Sequence, residues 1–137
     1  MTVSMGGHIH VAGVAGVGMS ALAQALRWTR GRVTGSDRYF DQGLSLPIFD
    51  ALRAAGVELV KQDGAAVEAG TEAVVYSTAI EEGNPDFIAA KKMGVPLKHR
   101  AAVLAELARG HTVLAVAGTA GKTTTTGMLG WTLEQLG

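Results

Sequence analysis

An α/β protein built on a doubly wound, Rossmann-like parallel sheet is predicted by three features of this 137-residue chain. Short β-rich runs alternate with helical patterns, and that alternation places helices on both faces of a parallel sheet. Two of the strand-to-helix joints are glycine loops, V-A-G-V-A-G-V-G-M-S at 11–20 and V-A-G-T-A-G-K-T at 116–123. The composition is that of a packed globular chain, 47% apolar and 18% charged, long enough for one real core.

The elements follow in order. His8–Gly13 reads as a strand running into the first glycine loop, and Met19–Arg30 as a helix. Arg32–Gly35 is a second strand leading to Asp37, and Arg38–Ser45 a mostly polar loop. Leu46–Ala55 is helical, with Pro47 in its first turn, where a missing N–H costs nothing. Val57–Lys61 and Ala73–Ser77 are the third and fourth strands. Asn84-Pro85 starts a helix: Asn caps free N–H groups and Pro fits the first helical position. Gly94 supplies its left-handed stop. Val95–Lys98 is a fifth strand, Arg100–Arg109 a helix, His111–Ala117 a sixth strand, and Thr123–Leu136 the last helix. That sixth strand and its helix read as the start of a second α/β domain, giving units 1–110 and 111–137, and the chain as the front piece of something longer.

Several function classes are disfavoured. Lys plus Arg equal Asp plus Glu at 12 each, which argues against binding nucleic acid by bulk charge. Without cysteine there are no disulfides or thiolate metal sites. Met1–Gly7 lacks the basic and apolar blocks of a signal peptide. Ile9–Ala25 is too interrupted by His10, glycines and Gln24 to span a membrane. A cytoplasmic protein is the expectation.

The first loop carries Gly13, Gly16 and Gly18 between strand and helix. Such loops let backbone approach a diphosphate, which then sits on the helix N-terminus. The spacing is G-x-x-G-x-G rather than the dinucleotide G-x-G-x-x-G, since Ala15 stands at a glycine position. Asp37 lies ~20 residues on, where an acid binds a ribose hydroxyl. The alternative is that the glycines only allow close strand–helix packing. The second loop, Gly118 to Thr123, has the chemistry of a P-loop: N–H groups cradle phosphates, Lys122 reaches the β/γ-phosphates, and the Thr123 hydroxyl ligates Mg²⁺. The full pattern asks for glycine at 116, where Val116 stands, so this is a shortened variant.

H-I-H-V-A-G-V-A-G-V-G-M-S-A-L-A, V-T-G-S-D, V-V-Y-S-T-A-I-E-E-G-N-P, L-K-H-R-A-A-V-L-A-E-L and A-V-A-G-T-A-G-K-T-T-T-T occur in that order across nearly the whole chain. Together they resemble the Mur ligase family, the ATP-dependent amide-forming enzymes of peptidoglycan synthesis. The resemblance implies a UDP-sugar-binding first domain, an ATP-binding second domain of which only the opening is present, and a third domain absent here, so that this stretch alone is inactive. It implies that UDP-N-acetylmuramate binds at Gly13, Ala15, Gly16, Val17, Gly18, Met19 and Ser20, bordered by Asp37, Ser77, Thr78, Ala79 and Ile80. ATP and Mg²⁺ are implied at Gly118, Thr119, Ala120, Gly121, Lys122, Thr123 and Thr124. The implied reaction passes a phosphoryl group from ATP to the lactyl carboxylate, and the amine of L-alanine then attacks the acyl phosphate. It would serve cell-wall building, and with it cell shape and division.

Ala120 stands where the family usually has His. The second loop and its helix also resemble the family's recycling branch, which adds a ready-made tripeptide, whereas S-T-A-I-E-E-G-N-P favours the alanine-adding branch. His99-Arg100 matches a family H-R without an assigned contact. Outside the family, an NAD-binding module is suggested by the first loop with Asp37, and a small P-loop NTPase by the second. His8 and His10 share a strand face but lack a third metal ligand. Trp28 and Trp131 are expected to anchor packing, His111 to begin a strand, and Glu81-Glu82 and Lys91-Lys92 to be solvated. Tyr39 and Phe40 are candidates for a lid over the nucleoside.

Overall fold

The computed structural model describes residues 7–29 and 31–137, so the leader reading of the first residues and the helix end at Arg30 lie outside the described residues. The chain divides into two units, Met1–Leu107 and Ala108–Gly137.

The first unit carries a five-stranded, all-parallel sheet in the order β3-β2-β1-β4-β5. Its strands are β1 (His8–Ala12), β2 (Val33–Ser36), β3 (Glu58–Val60), β4 (Thr71–Tyr76) and β5 (Leu97–His99). The helices are α1 (Val17–Thr29), α2 (Arg38–Asp41), α3 (Pro47–Ala54), α4 (Pro85–Met93) and α5 (Arg100–Ala108). The α/β expectation is met, with each strand shifted from its predicted bounds by one or two residues.

Alternation along the strands sends side chains to opposite faces. Ile9, Val11, Val33 and Val75 pack with Met19, Leu22, Ala23 and Leu26 of α1, Phe49 and Leu52 of α3, and Val103 of α5. On the other face Ala12 and Val74 pack with Ala90 of α4, Val67 and Val95. The stripe at 19, 22, 23 and 26 is the apolar face of α1. Trp28 falls off that stripe and is 90% exposed, so it does not anchor the core as expected; Trp131 is 66% exposed as well.

Two local devices explain the glycine-rich turns. Gly13 sits at φ +70, where a side chain is strained, and reverses the chain after β1. Gly35 of β2 leaves room for Val14, whose atoms lie 2.7–2.9 Å from where a Cβ would stand.

The polar loop expected over Arg38–Ser45 instead begins with α2. Asp37 starts it, its Oδ1 accepting the Tyr39 N–H at 2.9 Å. The α4 expectations hold: Asn84 Oδ1 accepts from Asp86 N–H at 2.9 Å, Pro85 takes the first position, and Gly94 ends the helix at φ +68.

In the second unit, α6 (Lys122–Leu136) follows the second glycine loop, starting after Gly121 at φ +75. The sixth strand expected at His111–Ala117 is not one. A strand is defined by ladder hydrogen bonds, and this segment finds no ladder partner among the described residues. Among the described residues no helix is long and apolar enough to cross a membrane.

Candidate functional site

The strand order reverses at β1. From β1 the chain moves through α1 to β2 and then β3 on one side, and returns to place β4 and β5 on the other. In open α/β sheets such a reversal leaves a crevice beyond the carboxyl ends of the strands. A cleft of about 420 Å³ lies there, between the loops after β1, β2 and β4. Gly13, Asp37, Ser77 and Ala79, all expected at a ligand, line it, and so do Arg38, Tyr39, Gln62, Ile80, Glu81 and Asn84. No sequence motif marks Arg38, Gln62, Glu81 or Asn84 as a ligand group. Asn84 was legible only as a helix cap, and Gln62 follows β3 without any motif.

The first glycine loop is fixed from both sides. Gly13 and Val14 N–H groups donate to Ser36 O at 2.9 and 3.0 Å, and Ile80 Cδ1 closes over Gly13. Gly16 O accepts from Met19 and Ser20 N–H at 2.9 and 2.8 Å. Met19 is core, and Ser20 Oγ donates to Val17 O at 3.1 Å, so these two residues turn inward. The N–H groups of Val17 and Gly18 take no acceptor among the described residues. They are the open donors of a helix N-terminus, suited to an anion. Gly16 and Val17 are exposed beside them, and Thr78 is exposed. Of the predicted first-loop residues only Gly13 lines the cleft; Ala15, Gly16, Val17, Gly18, Met19 and Ser20 do not, and neither does Thr78.

Arg100 reaches the same place from α5. Its Nη1 occupies the space a Cβ on Gly18 would fill. A cation at the positive end of a helix is unfavourable unless an anion joins it. The glycine at 18 therefore does two things: it exposes an N–H and admits a guanidinium.

Asp37 is 5% exposed and its carboxylate is already engaged. Oδ2 accepts from Ala15 N–H at 3.0 Å while Oδ1 caps α2, so it ties the loop after β1 to the loop after β2. Tyr39 faces the cleft with the Arg38 guanidinium 5.1 Å from its ring centre. Phe40 instead packs edge-on against Phe49 at 5.5 Å and joins the core margin, which separates it from any lid.

Beneath the cleft wall runs a buried polar network on the α4 face of the sheet. Thr34 Oγ1 bonds His8 Nε2 and His10 Nδ1, both at 2.8 Å, and His8 Nδ1 bonds Thr71 Oγ1 at 3.0 Å. His10 Nε2 lies 3.2 Å from Asp86 Oδ2. Asp86 also accepts from Ser36 Oγ, and from Gly64 N–H at 3.1 Å. Burial opposes its charge, but His10, Ser36 and the Gly64 N–H outweigh that and hold its carboxyl below the usual range. His8 shifts downward through burial first, then Arg32 and His10, against weaker pulls from Glu68 and Glu58. The histidine pair thus serves a hydrogen-bonded network; no cluster of three or more potential metal ligands occurs among the described residues.

The second glycine loop belongs to the other unit. Lys122 Nζ donates to Gly118 O at 2.7 Å, drawing the ammonium back across the loop. The N–H groups of Lys122, Thr123 and Thr124 take no backbone acceptor among the described residues, whereas Thr125 N–H already bonds Gly121 O at 2.9 Å. Open donors, a nearby ammonium and an exposed Thr123 hydroxyl fit a polyphosphate with its metal ion. Ala120 adds no polar group to that loop.

Comparison with known proteins identifies the family. The profile of the Mur ligase family, catalytic domain, matches residues 8–112. The chain is 42% identical over 130 residues to a UDP-N-acetylmuramate--L-alanine ligase of Methylibium petroleiphilum, covering 95% of this chain and 27% of that one. It resembles the structure of a murein peptide ligase of Psychrobacter arcticus (TM-score 0.80, 33% identity, 93% of this chain and 26% of that one). It also resembles that of the UDP-N-acetylmuramate-alanine ligase of Thermotoga maritima (TM-score 0.81, 28% identity, 95% and 30%). The chain spans about a quarter of the length of the curated relatives it matches.

Proposed function

The chain belongs to the Mur ligase family, and from that membership we propose that residues 1–110 bind the UDP-sugar of a peptidoglycan ligase while 111–137 open its ATP-binding domain. The substrate proposed is UDP-N-acetylmuramate, joined to L-alanine in the cytoplasm by the whole ligase, with the rest of that protein needed for ligation. The observation that carries the reading is the cleft at the strand reversal, with open N–H groups at 17 and 18 beside it, in a chain 42% identical to an alanine-adding ligase.

In this reading the diphosphate rests on Val17 and Gly18 N–H, and Arg100 adds a cation at the same point. Asp37 acts mainly by holding the loop that presents those donors. Ser77, Ala79 and Ile80 border the nucleoside. The N–H groups of Lys122, Thr123 and Thr124 would hold the triphosphate, and the Thr123 hydroxyl would ligate Mg²⁺. When bound, Mg²⁺–ATP supplies the phosphoryl group that activates the lactyl carboxylate for attack by an amine. Lys122, which donates to Gly118 O in this structure, would offset charge on the phosphates.

A second reading, addition of a ready-made peptide in cell-wall recycling, is supported by the higher identity to the Psychrobacter murein peptide ligase than to the Thermotoga alanine ligase. Calorimetric titration tests the shared part. UDP-N-acetylmuramate and UDP should bind, and Gly18→Val, which crowds the donors and Arg100, should weaken both at least tenfold. Binding of NAD without any response to UDP would contradict the proposal.

A further inference from the structure

Two amide side chains, Gln62 and Asn84, face the cleft, and each has one end committed. Asn84 Oδ1 accepts from Asp86 N–H at 2.9 Å, which leaves Nδ2 as the end available to a ligand. Gln62 Nε2 donates to Ser36 Oγ at 3.4 Å, which leaves Oε1. The Gln62 backbone is held too, its N–H donating to the Asp41 carboxylate at 3.1 Å.

The direction of the Gln62–Ser36 bond is not free. Ser36 Oγ donates its single proton to Asp86 Oδ2. Asp86 is fully buried and ionised, held so by His10, Ser36 and the Gly64 N–H, and an ionised carboxylate only accepts. Ser36 therefore meets Gln62 with a lone pair. Turning the amide over would set Oε1 against that lone pair and lose the bond. One buried residue, through its carboxylate and its own N–H, thus sets the polarity of both amides.

We propose that Gln62 and Asn84 read the edge of the nucleobase as a fixed acceptor and a fixed donor, with Ser36 and Asp86 as positioning residues that stop the amides turning over. This rests on the cleft being the UDP-sugar site. The pair suits the imide edge of uracil: N3–H donates to Gln62 Oε1, and a neighbouring carbonyl accepts from Asn84 Nδ2. Cytosine carries an acceptor at N3 and moves its donor out to the exocyclic amine, so the same two groups pair out of register.

The test is calorimetric titration of the full chain with UDP and with CDP, for wild type, Gln62→Ala and Ser36→Ala. The quantity read is the ratio of the two affinities, which cancels any change in the folded fraction. Wild type should prefer UDP by about tenfold or more, the scale of a good bidentate base contact. Gln62→Ala should bring the ratio near one. Ser36→Ala should lower it with Gln62 intact, an effect that a merely structural role would not produce. Equal wild-type affinities, or an unchanged ratio in Gln62→Ala, would overturn the proposal and leave the UDP site standing. An unchanged ratio in Ser36→Ala would overturn the positioning role. Wild type binding neither nucleotide would overturn the UDP-sugar reading, and this one with it.

Discussion

Asp37 and Gly35, two residues apart, show how differently a residue's type and its surroundings can read. An acid after the second strand suggests a ribose contact; each Asp37 oxygen also accepts one backbone N–H, so the same carboxylate that lines the cleft ties two loops together. Nothing in the local sequence signals this, because Ala15 comes from a loop 22 positions away. Gly35 looks like one more glycine, and the structure gives it a partner, Val14. Gly35→Val should therefore overpack the contact and cost about 1–3 kcal/mol, read as a lower denaturation midpoint with unchanged m-value. His8 carries a pH prediction. Its folded-state affinity for protons lies below the ordinary value of 6.5, so the unfolded chain binds the proton more tightly. The associated stability is present above that value and is lost as pH falls through it toward the folded pKa. Urea midpoints at pH 7.5 and 5.5 should show the loss, and His8→Gln should reduce it. Asp86, also shifted downward, adds a further loss below the ordinary carboxylate range.

At the scale of elements, what was legible was what local chemistry fixes. Asn84-Pro85 announced α4 and Gly94 its end, because cap, first-turn proline and left-handed glycine act within a few residues. The strands and α1 were legible from periodicity and from the loop that joins them. Long-range partnership was not legible. The helix α2 is a single turn, too short for a periodic pattern, and its only local sign is the cap, Asp37. The histidine pair was recognised on one face, but the threonines and Asp86 that receive it come from β2, β4 and α4. The expected sixth strand failed for the complementary reason: its sequence has strand propensity, but a ladder needs a neighbour. Amide hydrogen exchange should follow this difference. Residues 111–121 should exchange far faster than 9–11, which lie in a ladder paired on both sides. Exchange equally slow in both segments would refute it.

The whole molecule places its chemistry where its topology leaves space. One reversal of strand order produces the cleft, the glycine loop that lines it at Gly13 carries open N–H groups at 17 and 18, and one buried network runs beneath its wall. In the proposed function, a charge-balanced chain of this kind would bind anions through oriented backbone and a few placed cations rather than through net charge. Chemical-shift mapping of the full chain with UDP-N-acetylmuramate tests that claim most directly. The largest amide shifts are expected at Val17 and Gly18, with further shifts at 77–80 and at Gln62, and small ones at 118–124. Shifts concentrated at 118–124, or none at Val17 and Gly18 under saturating ligand, would contradict it.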